Sequence, residues 1–475
     1  MSSITERLRA ALGSTHALLR RHPLRLAVAA VALTSAVGIA AFGRGEPGAG
    51  DEAVYASLDV ATLPARPASF TAPLVSEPPS YTPDAAAPIP RPVPPGITAD
   101  DFRVDLTPVP FEARVRRPAA LRGIYVSAWA AGSRAKRARL MALADRTEIN
   151  AFVVDIKDAT GFVTYETRVP LARQIGAHRD VRVGDMRALL AELRARHIYP
   201  IARIVVFKDP LLATRRPDLA IQDSAGGVWV DHHGDRWVDS YNRNVWEYVI
   251  ALGREAVAMG FSEVQWDYVR FPDVPSRHME TAVFPAREGR ARDDAIREFL
   301  LHSRERLADL QAPLTADVFG LTTSVAGDMG IGQRWSKMVD ATDALLPMVY
   351  PSHYYRGSYG LAHPNAQPYE VVRKAMEDAL ARTRGVRGGA AIVPWLQDFT
   401  MGKPAYGPAH VRAQMEAVYD AGLSEWILWN PASNYTEEAL APAGGRAPRF
   451  PRPAWAPEAR ERDAGGLLGK PAHRP

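Results

Sequence analysis

The chain has 475 residues, 47% of them apolar and 23% charged, an ordinary composition for a packed globular core. It contains no cysteine, which removes disulfides, thiolate metal sites and cysteine nucleophiles together. The net charge of +5 is carried by the first 45 residues, where Arg7, Arg9, Arg20, Arg21, Arg25 and Arg44 face one acid, Glu6, so no nucleic-acid partner is expected.

The basic stretch 1–25 leads into "LAVAAVALTSAVGIAAF", Leu26 to Phe42, which holds no charge. Its length and one-sided Arg cluster predict a membrane anchor or signal segment, with everything after it outside the cytoplasm. The membrane is therefore an expected partner, and the cell envelope the expected location. The chain is expected to be inner-membrane anchored, or secreted or periplasmic if cleavage occurs near Ala36, Gly38 or Gly43. Residues 43–118 hold 15 of the 39 prolines, 14 of them between Pro47 and Pro110. Proline at that density removes backbone donors and favours extended chain, so this is read as a linker. The Pro- and Arg-rich stretch 441–475 is read as a disordered tail.

Between them, residues 119–440 form one domain in which apolar, β-rich runs alternate with helical periodicity. The runs are "RGIYVSAW" (Arg122 to Trp129), "NAFVVDIKD" (Asn150 to Asp158), "YPIARIVVFKD" (Tyr199 to Asp209) and "EVQWDYVRF" (Glu263 to Phe271). "PLTADVFG" (Pro313 to Gly320), "ALLPMVYP" (Ala344 to Pro351), "AAIVPWLQDF" (Ala390 to Phe399) and "SEWILWNP" (Ser424 to Pro431) follow. Near-continuous apolar runs suit parallel strands covered on both faces. Met186, Leu189, Leu190 and Leu193 share one helical face, with Asp185 as a cap. Val245, Tyr248, Val249, Leu252 and Ala256 share another, and Val411, Met415, Val418 and Tyr419 a third. Eight strand–helix units predict a (β/α)8 TIM barrel, with an open doubly wound sheet as the alternative. The first turn, "AWAAGSRAK", lacks the glycine fingerprint of a dinucleotide site, and no cofactor is expected.

In such a barrel chemistry belongs at the C-terminal strand ends. Those ends are polar here, while the starts are apolar apart from Glu263 and Glu425. Period-two alternation puts Gln265, Asp267 and Val269 on one face, Thr315, Asp317 and Phe319 on another, and Asp155 with Lys157 on a third. Adjacent strands lie about 4.8 Å apart, so Asp267 and Asp317 can approach the roughly 5–5.5 Å of a retaining glycosidase. Asp267 is the expected nucleophile, Asp317 the acid/base, and Arg270 the charge partner of Asp267. Asp155, Lys157, Arg270, Tyr350, His353, Trp395, Asp398, Trp429 and Asn430 are the expected substrate-binding residues. The competing readings are a structural Asp267–Arg270 ion pair, Asp317 as a loop brace, an internal Asp155–Lys157 salt bridge, and Asp398 as the acid. Trp129, Trp229, Trp237, Trp395 and Trp429 lie at strand ends or in the loop "DSAGGVWVDHHGDRWVDSYN", where flat rings would meet sugar faces. His232 and His233 are adjacent rather than i, i+4, so no catalytic metal is expected.

The blocks "LRGIYVSAW", "NAFVVDIKDATGFVTYE", "EVQWDYVRFPD", "DVFG" and "LPMVYPSHY", in that order, resemble the glycoside hydrolase family labelled DUF4015. The resemblance spans Leu121 to Tyr435 and implies a TIM barrel of the α-amylase-like group that hydrolyses carbohydrate. Enzymes of that group carry the acid as Glu on strand five, where this chain has Asp317. The expected function is cleavage of glycosidic bonds in an envelope or extracellular polysaccharide. The alternatives are a non-catalytic carbohydrate-binding or scaffold protein, and a metal-dependent polysaccharide deacetylase.

Overall fold

A strand that is apolar on both faces needs cover on both, and the eight runs find it by closing on themselves. The computed structural model describes residues 96–450. Strands β1 (Arg122–Val126), β2 (Ala151–Lys157), β3 (Tyr199–Val205), β4 (Glu263–Asp267), β5 (Leu314–Phe319), β6 (Ala344–Val349), β7 (Trp395–Gln397) and β8 (Trp426–Trp429) pair in that order, all parallel. The ring closes where Arg122 stands against Trp426 and where Trp395 meets both Ile427 and Met348. This is the (β/α)8 TIM barrel that the alternation predicts.

Around it run α1 (Arg134–Arg146), α2 (Met186–Ala195), α3 (Arg243–Met259), α4 (Arg292–Arg306), α5 (Pro368–Thr383) and α6 (Pro408–Asp420). Between β5 and β6 the chain makes only a 3-10 turn, Gly320–Thr323, and the short helix Trp335–Met338. The expected apolar faces of α2 and α3 are buried, and so are Val411, Met415 and Val418 of α6. The Asp185 carboxylate caps α2 by accepting from the Ala188 N–H at 2.9 Å.

Strand parity sorts the core into two clusters. Even-numbered Ile124, Phe152, Val154, Ala202, Ile204, Val264, Trp266, Ala316 and Leu428 face the helices. Odd-numbered Tyr125, Ala151, Val153, Tyr199, Ile201, Trp395 and Ile427 fill the barrel with Leu346. Trp266 reaches Phe299 of α4 at 5.6 Å between ring centres. Gly253 on α3 makes room for it, since a Cβ there would lie 3.0 Å from the indole. Removing a fully buried ring of this size costs about 3–5 kcal/mol.

Two local departures shape the wall. The register slips after Asp155, which faces Arg203, so that Lys157 faces Ile204. That bulge moves Lys157 to the outward parity. The seventh run is also broken: Ala391–Ile392 pairs low on β6, and Pro394, which has no N–H to give, precedes β7. The long loops after β3 and β4 are joined by the antiparallel pair Gln222–Asp223 and Ala282–Val283.

The barrel floor is braced by residues 109–117, part of the stretch expected as linker. The Val109 N–H donates to the Ala258 carbonyl at 3.2 Å, Arg114 to the Leu310 carbonyl at 2.5 Å, and the Ser262 hydroxyl to the Val115 carbonyl at 2.7 Å. Above them Glu263 accepts from the Tyr199 and Thr315 hydroxyls, each at 3.1 Å. Arg117 forks onto Glu425 at 2.7 and 2.9 Å. The start of the expected tail packs as well: the Glu148 N–H donates to the Ala441 carbonyl, and Ala443 to Arg146, both at 2.9 Å. The packed unit thus exceeds 119–440 at both ends. Leu26–Phe42 lies outside the described residues, and among those described no helix is long and apolar enough to cross a membrane.

Candidate active site

Inward parity brings Asp155, Arg203, Asp267 and Asp317 together at the C-terminal end of the barrel. Arg203 sits in β3 between two acid-bearing strands. Its guanidinium donates to Asp155 Oδ1 at 2.5 Å and to Asp267 Oδ2 at 2.9 and 2.5 Å. Burial alone would lower the Arg203 pKa, but the charges of Asp267 and Asp155 outweigh it and hold it well above the usual value. The Tyr125 hydroxyl donates to Asp155 Oδ2 at 2.6 Å. The Arg203 guanidinium also lies 5.4 Å from the Tyr125 ring and 5.3 Å from that of Trp429. These two rings stack at 4.0 Å, so the cation is fixed by carboxylates and aromatic faces together.

Asp267 closes β4, and the chain turns sharply behind it. Tyr268 adopts φ 49°, a left-handed conformation that costs a bulky residue energy. The turn aims the Tyr268 N–H at Asp267 Oδ1, 2.6 Å away. Across the groove between β4 and β5, Gln265 donates to both Asp317 oxygens at 2.7 and 2.9 Å, and the Trp395 indole N–H to Oδ1 at 2.6 Å. Burial first, and the Asp267 charge second, push the Asp317 pKa well above the carboxylate range. Burial also raises Asp155, against the pull of Arg203. The site therefore holds two carboxylates tied to a cation beside one that favours its proton.

The rim is built by the next strand ends. Tyr350 belongs to the cluster inside the barrel, and its hydroxyl pKa is raised by burial and by Asp317 and Asp267. His353 packs on the Tyr350 ring at 5.4 Å, its Nδ1 lies 3.0 Å from the Ser352 hydroxyl, and burial lowers its pKa to about 4. Asp398 accepts from the Thr436 N–H at 2.9 Å and its hydroxyl at 2.6 Å, while burial raises it to about 6. Asn430 donates to the Asp398 carbonyl at 2.5 Å and accepts from the Ala432 and Asn434 N–H groups. It shapes the loop that carries Thr436. Trp429 is half-buried, edge-on to Trp395 at 5.5 Å.

Three expected placements differ. Lys157 is fully buried outside this cluster, paired with Asp209 at 2.9 Å and donating to the Val205 carbonyl at 2.7 Å. The bulge after Asp155 broke the alternation that was to keep the two together. Arg270 is not the partner of Asp267. It stacks over the rings of Phe319, Tyr268 and Trp237 at 4.8, 4.9 and 5.2 Å and donates to the Phe271 carbonyl. Trp229 and Trp237 are packed in the β3 loop, donating to the His278 carbonyl and to Asp231. Sequence reasoning missed Arg203 and the role of Gln265. The signal was a lone Arg inside "YPIARIVVF", since a cation in a two-sided apolar strand needs a partner. Among the described residues no group of three or more His, Asp or Glu is arranged to hold a metal ion.

The family model DUF4015, described as "Putative glycosyl hydrolase domain", matches residues 123–435. No curated protein matched the chain. The solved structure of a hypothetical protein from Ruminiclostridium thermocellum ATCC 27405 is 39% identical, covering 41% of this chain and 97% of that one, with a TM-score of 0.38. The PgaB (BpsB) glycoside hydrolase domain from Bordetella bronchiseptica is 13% identical over 68% of this chain and 99% of that one, with a TM-score of 0.48. TtGalA, an alpha-galactosidase from Thermus thermophilus, is 17% identical over 67% of this chain and 60% of that one, with a TM-score of 0.41.

Proposed function

Because the chain belongs to the DUF4015 family and carries its glycosyl hydrolase domain, we propose that the barrel cuts glycosidic bonds by a retaining, two-carboxylate route. The observation that carries this reading is the pairing of Asp267, held by Arg203, with the proton-favouring Asp317 on the adjacent strand. Environments that set two neighbouring carboxyls to opposite tasks are what acid–nucleophile division requires. In the first half-reaction the Asp317 proton passes to the glycosidic oxygen as the C–O bond breaks, and Asp267 bonds to the anomeric carbon. The N–H groups of Gln265 and Trp395 then stabilise the Asp317 anion. In the second half a water gives its proton to Asp317, and its oxygen displaces Asp267.

Tyr350, His353, Trp429 and the Asp398 loop would line the sugar pocket. The substrate class we propose is an envelope or extracellular polysaccharide, which the basic, apolar N-terminal pattern supports. A glycan-binding site without catalysis is favoured by one feature: both Asp267 oxygens already hold donors.

The test is turnover of a glycan panel by the purified full chain, beside Asp267→Asn and Asp317→Asn. We expect both variants to lose about a thousandfold or more. Asp317→Asn should recover on substrates with an activated aryl leaving group, which needs no proton. Unchanged turnover in both variants removes the catalytic pair, and binding without turnover in the wild type selects the binding reading.

A further inference from the structure

Trp129 is the one exposed tryptophan among the described residues, at 57% exposure. It sits on the short helix Ala128–Gly132, directly after β1 and four residues beyond Tyr125, whose hydroxyl holds Asp155. That places it on the mouth side of the barrel. Three features fix the ring in place. The Ser127 hydroxyl caps the short helix by accepting from the Ala130 N–H. The Arg182 guanidinium lies 4.8 Å from the Trp129 ring centre, with its side chain only 5% exposed. Arg182 is itself held by Asp158 and by Asp180, which accepts its Nε at 3.0 Å. Gly132 lets the helix press against this support, for a Cβ there would stand 1.9 Å from the Arg182 carbonyl oxygen.

An indole with a fixed cation against it and more than half its surface exposed presents a rigid, amphipathic surface to a flat ligand. Clamping also removes ordering entropy that binding would otherwise cost. We propose that Trp129, backed by Arg182, is an outlying subsite for the C–H face of a sugar ring, so that the bound glycan is a chain running across the rim. The inference rests on the reading of the mouth as a glycan site, and it adds polymer length as the property recognised.

The experiment is affinity electrophoresis of the full chain through gels containing glycol chitin, hydroxyethyl cellulose, xylan or solubilised peptidoglycan strands. For each polymer that retards the wild type, Trp129→Ala should raise the apparent Kd about tenfold, and Trp129→Phe should restore most of the retardation. Equal retardation of Trp129→Ala and wild type, or no retardation of the wild type by any of the four, overturns the subsite. The two readings fail separately. Hydrolysis that needs Asp267 with binding indifferent to Trp129 keeps the hydrolase and removes the subsite. Retardation that needs Trp129 without Asp267-dependent hydrolysis keeps the subsite and removes the hydrolase.

Discussion

At the floor of the barrel Glu263 lies among Tyr199, Thr315 and Arg117; at the mouth Asp155, Asp267 and Asp317 gather round Arg203. Both ends bury acids. At the floor the Arg117 guanidinium stands 3.9 Å from Glu263 and gives its fork to Glu425, so neutral hydroxyls do most of the solvation. Burial then lifts Glu263 to about 7, and it spends much of its time uncharged. At the mouth one guanidinium holds two carboxylates while a third sits beside them. The floor acid neutralises itself, whereas the mouth keeps charges of opposite sign in buried contact, where the low dielectric strengthens their field.

The contrast can be broken most sharply at Arg203. Arg203→Met strands the mouth acids without their cation, and we expect about 3–5 kcal/mol lower unfolding free energy at pH 7 by urea denaturation. The deficit should shrink as pH falls and the acids take protons. A deficit that stays constant with pH would mean that the cation is merely packed there. A middle-sized effect is expected at Glu263. Its folded value near 7 exceeds the ordinary 4.5, so the folded state binds more protons, and wild-type stability falls as pH rises from about 4.5 to 7. Glu263→Gln removes that slope. Relative to wild type, the variant should gain roughly 3 kcal/mol between pH 4.5 and 7.5; parallel pH curves would refute a neutral floor acid. The smallest effect belongs to Arg117→Ala. Its partly exposed pair with Glu425 is screened by solvent, so the urea midpoint should report no more than about 1 kcal/mol. A loss comparable to that of Arg203→Met would erase the distinction between the ends.

All eight strands, the helical faces and the gathering of Asp267 with Asp317 were legible because each rests on a period, two or 3.6, that survives in one dimension. What was not legible depends on one residue breaking its period or on a partner far along the chain. The bulge after Asp155 carried Lys157 out of the cluster, and nothing in "VVDIKD" marks it. The partner of Asp267 was sought three residues away, at Arg270, yet it comes from 64 residues back, at Arg203. The same local bias placed Trp229 and Trp237 with the sugar-facing rings, although their loop folds into its own packed patch. Residues 96–118 were misjudged for another reason. Proline density forecasts extended chain, and extended chain can lie against a surface as readily as in water.

Two flanking stretches meet at the barrel's floor: residues 109–117 cross beneath β4 and β5, and 441–443 dock beside the start of β2. The opening sits at the opposite pole. Substitutions in these flanking stretches should thus loosen the barrel from below while leaving the acid cluster in place.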